Sequence, residues 1–170
     1  MDRKHFLTSF AGVGLVATGF PILPFRRFVH LDGPMDRKKV RTFVRVAHRD
    51  MDKVKQMLAD EPNLINVAWD WKGGDFETAL DAACHVGYKE LAQFLIEKGA
   101  QPNLFTACLF GKIEVVQPFI EAFPQAINAR GPHGFTLLHH AERGGEEALE
   151  VKVFLESLGA RETQLPLNFS

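Results

Sequence analysis

Cysteine is scarce in this chain: Cys84 and Cys108 are the only two among 170 residues. No Cys-x-x-Cys pair is present, so neither a zinc-finger ligand set nor a thioredoxin-type redox motif can be read from the sequence. The glycine-rich phosphate loop and the nucleophile elbow are missing too, which removes the commonest sequence signatures of nucleotide handling and acyl transfer. Tyrosine occurs once and tryptophan twice. A surplus of either charge is also lacking, because the formal net charge is −1. With 46% hydrophobic and 24% charged residues, the composition excludes a mainly disordered chain. The length suits one domain with its own core.

The balanced total conceals an uneven distribution. Residues 1–55 carry twelve Lys/Arg against five Asp/Glu, and residues 56–170 carry eight against sixteen. Such a split can steer association with a charged partner. The basic residues Arg37, Lys38, Lys39, Arg41, Arg45 and Arg49 alternate with apolar residues at helical spacing. That pattern is expected for the solvated face of a first helix rather than for a nucleic-acid surface.

The first 25 residues open with a short charged region and continue as an uncharged run from Phe6 to Phe25. A charged start followed by an apolar run is the pattern of an export signal. Arg3-Lys4-His5-Phe6-Leu7 resembles the twin-arginine motif of bacterial signal peptides, with Lys4 where the second arginine would stand. Ala17 and Gly19 provide a small-x-small pair at which cleavage is expected. Residues 1–30 are therefore set apart as a signal, with an uncleaved anchor as the alternative. The expected location is the periplasm, and the only expected membrane contact is through this segment.

The remainder repeats itself. Glu77-Thr-Ala-Leu-Asp-Ala-Ala-Cys-His-Val-Gly87 aligns with Phe135-Thr-Leu-Leu-His-His-Ala-Glu-Arg-Gly-Gly145. Upstream, Glu61-Pro-Asn-Leu-Ile-Asn66 echoes Phe123-Pro-Gln-Ala-Ile-Asn128. Downstream, Phe94-Leu-Ile-Glu-Lys-Gly-Ala100 echoes Phe154-Leu-Glu-Ser-Leu-Gly-Ala160. Three matching segments in one order resemble the ankyrin repeat, with a period of about 33 residues and the signature T-P-L-H-x-A. Thr136-Leu-Leu-His139 carries the signature with Leu137 for proline; Thr78-Ala-Leu-Asp81 carries it with alanine and aspartate substituted. The resemblance covers residues 36–161 and implies an all-α solenoid of about four stacked helix-turn-helix units joined by hairpin-like loops. Residues 162–170 are left as a tail or cap.

The expected units can be delimited. The first spans Asp36 to Asn66, with Val44, Ala47, Val54, Met57 and Leu58 facing inward. The second spans Val67 to Asn103. The third starts directly at Phe105, without a full hairpin, and its second helix carries Val115, Val116, Phe119 and Ile120, with Pro118 expected to kink or shorten it. The fourth runs from Ala129 to Ala160, with Leu149, Val153, Phe154 and Leu158 at helical spacing. Thr78 and Thr136 are helix caps, Gly87, Gly111 and Gly145 are turn residues, and Ala83, Ala107 and Ala141 permit close helix approach.

Adjacent His139 and His140, followed by Glu142, raise the question of a metal or acid–base site. Neighbouring residues on a helix point about 100° apart, whereas paired metal ligands prefer i, i+4. The resemblance implies a structural role for His139, bonding locally and linking units. No catalytic residue, cofactor or metal is expected. A competing class, a metal protein or enzyme built on His133, His139, His140 and Glu142, remains open, as does an inhibitor or stabiliser of a co-expressed exported enzyme. Cys84 and Cys108 fall at equivalent positions of successive units, too far apart for a disulfide, and are expected as buried free thiols.

The leading expectation is a monomeric, non-catalytic module that binds a protein partner. The resemblance places binding on hairpin tips and the concave helix face. From Asn66 to Thr78 is twelve residues, against eight from Asn128 to Thr136. The longer loop holds Trp69, Asp70, Trp71, Lys72 and Phe76, and Arg130 and His133 sit on the matching loop of the fourth unit. These seven form the candidate surface. For each tryptophan, a partner anchor and a cover folded over a neighbouring unit are both open roles.

Overall fold

A computed structural model of the chain describes residues 33–167. The proposed export signal lies outside the described residues. Among the described residues no helix is long and apolar enough to cross a membrane.

Eight α-helices are described: α1 (Arg37–Val46), α2 (Met51–Asp60), α3 (Ala79–His85), α4 (Lys89–Glu97), α5 (Leu104–Leu109), α6 (Ile113–Ala122), α7 (Leu137–Gly144) and α8 (Leu149–Ser157). Two short strands, β1 (Ala68–Asp70) and β2 (Phe76–Thr78), pair antiparallel ahead of α3, with Ala68 opposite Thr78, Trp69 opposite Glu77 and Asp70 opposite Phe76. The helices are mutually packed in consecutive pairs, and the first members of the pairs also touch in succession: α1 with α3, α3 with α5, α5 with α7. Elements this short are marginal alone and gain their stability from these neighbours.

Local chemistry explains where each helix starts. The Asp36 carboxylate accepts from the amides of Lys38 and Lys39, and Asp50 accepts from Lys53. Thr78 and Asp81 form a reciprocal capping box, as do Asn103 and Thr106. The Thr136 hydroxyl accepts from the amide of His139 at 3.3 Å. These caps satisfy amides that the first helical turn leaves without partners. The echoed segments Pro62–Asn66 and Pro124–Asn128 both fold as 3-10 turns with proline at the start, where its missing N–H costs nothing.

Two apolar clusters form the core. One joins α1 to α4 through Phe43, Ala47, Val54, Leu80, Leu91 and Leu95; the other joins α5 to α8 through Cys108, Val116, Leu137, Ala141, Val151 and Leu155. Each fully buried Leu, Val or Phe contributes about 1.5–3 kcal/mol. The expected first-unit residues Val44, Ala47, Val54, Met57 and Leu58 are all buried. Arg37, Lys38, Lys39, Arg41, Arg45 and Arg49 are all exposed.

Two expectations about the later helices need correction. On α8 and at its C-cap, Leu149, Val153 and Leu158 are about half exposed, and the buried residues of the helix are Val151 and Leu155. Phe154 alone of the expected four packs against the core. On α6, Val116 and Ile120 are buried, whereas Val115 and Phe119 face outward. Both helices carry two apolar stripes at i, i+4 spacing, so periodicity could not choose between them. Pro118 does not shorten α6, which spans ten residues, as many as α1 and α2.

The third pair has no hairpin. Asn103 caps α5 directly after Ala100-Gln-Pro. Its side-chain amide also donates to Asp81 at 2.8 Å, while Asn66 bridges to the carbonyl of Gly99 and the amide of Gln101. After α8 the chain turns back along the loop before α7. Thr136 N donates to Thr163 O, Leu165 N to Gly134 O, and the Thr136 hydroxyl to Glu162 O.

Candidate functional site

Four side chains from distant parts of the sequence converge where the β1–β2 hairpin meets the ends of α1 and α3. Glu77 lies in the middle of β2. Because side chains alternate along a strand, Phe76 points outward at 62% exposure while Glu77 points inward at 0%. His85 is the last residue of α3, and His48 sits in the turn after α1. His133 comes from the turn Pro132–Gly134 before α7 and has φ +58°, a left-handed conformation unusual for a side-chain-bearing residue.

The distances are short. Glu77 Oε1 lies 2.8 Å from His85 Nε2 and 3.5 Å from the Nε2 atoms of both His48 and His133. The Nε2 atoms of His48 and His85 are 3.1 Å apart. The other carboxylate oxygen, Oε2, accepts from the Trp71 indole at 2.7 Å. Burial would raise the Glu77 pKa, but hydrogen bonds from His48 and His85, the His48 charge and the Trp71 N–H outweigh it and hold the carboxyl at about 2. His48 is raised, chiefly by its hydrogen bond to Glu77, against the opposing effect of burial.

Each ring is oriented from behind. His48 Nδ1 is 3.2 and 3.1 Å from the carbonyls of Val44 and Arg45. A carbonyl only accepts, which assigns the proton to Nδ1. His133 Nδ1 lies 2.7 Å from Asp75 Oδ2, and the same carboxylate accepts from the His133 amide through Oδ1 at 2.8 Å. Phe135 stacks on His85 at 5.1 Å and on His139 at 4.1 Å, forming an apolar wall beside the cluster.

The loop that the sequence singled out is thus split between two environments. Trp69 is half-buried against the first core cluster, with the Arg37 guanidinium 5.7 Å above its ring. Trp71 is half-buried and serves Glu77. Asp70, Lys72 and Phe76 are exposed, and Asp70 Oδ1 accepts from Gly74 N within the turn. Arg130 is exposed and donates through Nη1 to the carbonyl of Pro166. His133 joins the cluster.

The constellation His133, His139, His140 and Glu142 is not brought together. His139 Nε2 contacts the carbonyl of His85 at 2.8 Å, linking α7 to α3. The His140 Nδ1–H donates to Thr136 O at 2.7 Å. Glu142 is exposed, 3.5 Å from Lys152. Cys84 and Cys108 are buried free thiols. Burial pushes both up to about 12, which leaves them without nucleophilic thiolate at neutral pH.

His48, Glu77 and His85 were missed as site residues. A shift of 37 residues separates His48 from His85, and the same shift superimposes Phe43 on Leu80, Ala47 on Cys84, Val54 on Leu91 and Leu58 on Leu95, all of them buried. The two histidines therefore occupy one repeat position in adjacent pairs. Glu77 carried a weaker signal: an acidic residue at the inward position of a short strand.

Residues 75–107 match the family model Ankyrin repeat. No curated protein matches the chain. The ankyrin match begins at Asp75, runs through Glu77, the Thr78 cap, α3 and α4, and ends on α5, so it takes in two members of the polar cluster. Ankyrin repeats are generally non-catalytic and bind protein partners.

Proposed function

We propose that residues 36–161 form an ankyrin-type solenoid of four stacked helix pairs that holds a protein partner and performs no chemistry on it. The match over residues 75–107 supports the class. The recurring Thr caps, paired Pro-led turns and serial contacts of α1, α3, α5 and α7 support the extension to neighbouring pairs.

The observation that carries the location is Phe76. It is a large apolar side chain, 62% exposed, on a hairpin whose other aromatic residues, Trp69 and Trp71, are packed down. Rigid support lowers the ordering cost of binding, and an exposed aromatic buries much area on contact. Phe76 with Asp70 and Lys72 forms the contact surface, extended by Arg130 and His133 on the adjacent loop. Trp69 and Trp71 brace it. A photo-crosslinking residue at position 76, compared with one at position 49 on the basic face of α1, tests the assignment in the native host. A protein trapped from position 76 alone, whose affinity falls about tenfold in Phe76→Ala with unchanged circular dichroism, is the expected result. Equal affinity after that substitution removes the hairpin from the interface.

Export is part of the same proposal: residues 1–30 act as a signal and the module works in the periplasm. The mass of the protein recovered from the host reports whether the first residues, through Gly19, have been removed.

A further inference from the structure

We infer that His48, Glu77, His85 and His133 form a binding site for one divalent transition-metal ion of the zinc class, which clasps the first, second and fourth helix pairs together. The site shares His133 with the partner-binding surface proposed above, but the argument for it does not depend on that surface.

Proton accounting points to a cation. The Nδ1 atoms of His48 and His133 both face acceptors only, so in the neutral rings their Nε2 atoms are bare lone pairs. Both lone pairs are directed at Glu77 Oε1, a carboxylate oxygen, so without a cation the contact is satisfied only if the rings take up a second proton. His85 Nε2 can bring one N–H, and it already has two claimants, Glu77 Oε1 at 2.8 Å and His48 Nε2 at 3.1 Å. With the rings neutral, three ring nitrogens and one carboxylate oxygen thus converge with a single N–H among them. A metal ion at their centre satisfies all four at once.

Geometry agrees. A tetrahedral ion with bonds of about 2.0–2.1 Å places its ligand atoms about 3.3–3.4 Å apart. The contacts of 2.8, 3.1, 3.5 and 3.5 Å straddle that spacing, and all four ligand atoms lie within 4.8 Å of one another. Occupancy requires the tight pairs to open by a few tenths of an ångström and His133, on its loop, to move inward. Three imidazoles with one carboxylate suit zinc and its neighbours and disfavour calcium or magnesium, which take oxygen ligands. The supporting hydrogen bonds are already in place: Asp75 behind His133, two carbonyls behind His48, and Trp71 behind Glu77. Such partners fix tautomer and ring orientation at metal sites. With four protein ligands the site is closed, the form of a structural rather than a catalytic ion. His48 and His133 side chains are 25% and 30% exposed, which leaves a route for the ion.

The third pair has no hairpin, so the second and fourth loops meet directly through Asp75 and His133. An ion there staples the gap.

The untagged full chain, treated with chelator and dialysed, is titrated with zinc chloride by calorimetry and separately with cobalt chloride by absorption. The expected result is one zinc per chain at micromolar affinity or tighter, visible d–d bands of tetrahedral cobalt, and a thermal midpoint that rises with zinc. Asp75→Asn should weaken zinc about 10–100-fold while keeping every ligand. His133→Asn and His85→Asn should each abolish the tight site and the thermal shift, and His140→Leu, outside the cluster, should retain both. His133 lies on a loop, so its variant keeps the test usable if His85→Asn fails to fold. The proposal is overturned by zinc binding weaker than about 100 µM, by octahedral cobalt spectra, or by undiminished tight binding in His133→Asn.

Discussion

His140 shows how one residue ties packing to pH. Its ring is wholly buried, Nδ1–H donates to Thr136 O, and Nε2 has no hydrogen-bond partner. Burial lowers its pKa to about 4 from 6.5, against the opposing effect of the hydrogen bond to the Thr136 carbonyl. Protonation would put an unpartnered N–H beside the Phe105 ring, 5.0 Å away. Because the folded pKa is depressed, the unfolded chain binds the proton more tightly between pH 6.5 and 4. The stability that the neutral ring confers is therefore full above pH 6.5 and declines as pH falls toward 4. The loss from this group between pH 7 and pH 4 is roughly 3 kcal/mol. Urea midpoints at both pH values, compared between wild type and His140→Leu, should show a steeper decline in wild type. Parallel declines would show that His140 does not contribute.

At the scale of elements, the turns between paired helices set how closely the pairs stack. Gly87 and Gly111 occupy matching turns with φ +78° and +62°. A Cβ on Gly87 would meet only Arg143 at 3.4 Å, an ordinary contact, whereas one on Gly111 would lie 1.9 Å from the Glu147 carbonyl oxygen. Gly87→Ala should therefore cost only the left-handed backbone penalty, about 1–2 kcal/mol. Gly111→Ala should cost about 1–3 kcal/mol more, because backbone must move. Chemical denaturation of the two variants measures the difference, and equal losses would mean that the third and fourth pairs yield easily there. The outer helices show the reverse dependence. Val115 and Phe119 on α6 and Leu149 and Val153 on α8 are as regularly spaced as the residues that are buried, so only the position of the neighbouring pair selects the inward stripe.

For the molecule as a whole, the C-terminal segment completes the last pair. Five hydrogen bonds connect residues 162–166 to the loop before α7: those from Thr136 N and its hydroxyl, from Leu165 N, from Gln164 to His133 O and from Arg130 to Pro166 O. A chain ending at Arg161 should lose about 2–4 kcal/mol, at roughly 0.5–1.5 kcal/mol for each of the more protected bonds. Amide exchange should accelerate at residues 133–136 while α3 and α4 keep their protection. Unchanged exchange there would show that the segment contributes no stability.

The sequence by itself determined the helices, their caps and turns, and the burial of both cysteines. These depend on local spacing: hydroxyl or carboxylate three residues ahead of a helical amide, glycine at a left-handed turn, apolar residues along one face. The resemblance of Thr78-Ala-Leu-Asp81 to the ankyrin signature was legible for the same reason, since a repeat is a local pattern stated more than once. Only the tertiary structure decided which stripe of α6 and α8 turns inward, that Trp69 and Trp71 pack down, and that His48, Glu77, His85 and His133 meet. Those outcomes depend on contacts between residues up to 85 positions apart in the chain, and nothing in a linear pattern specifies the distance between side chains until the pairs stack. The missing third hairpin then lets the second and fourth loops touch.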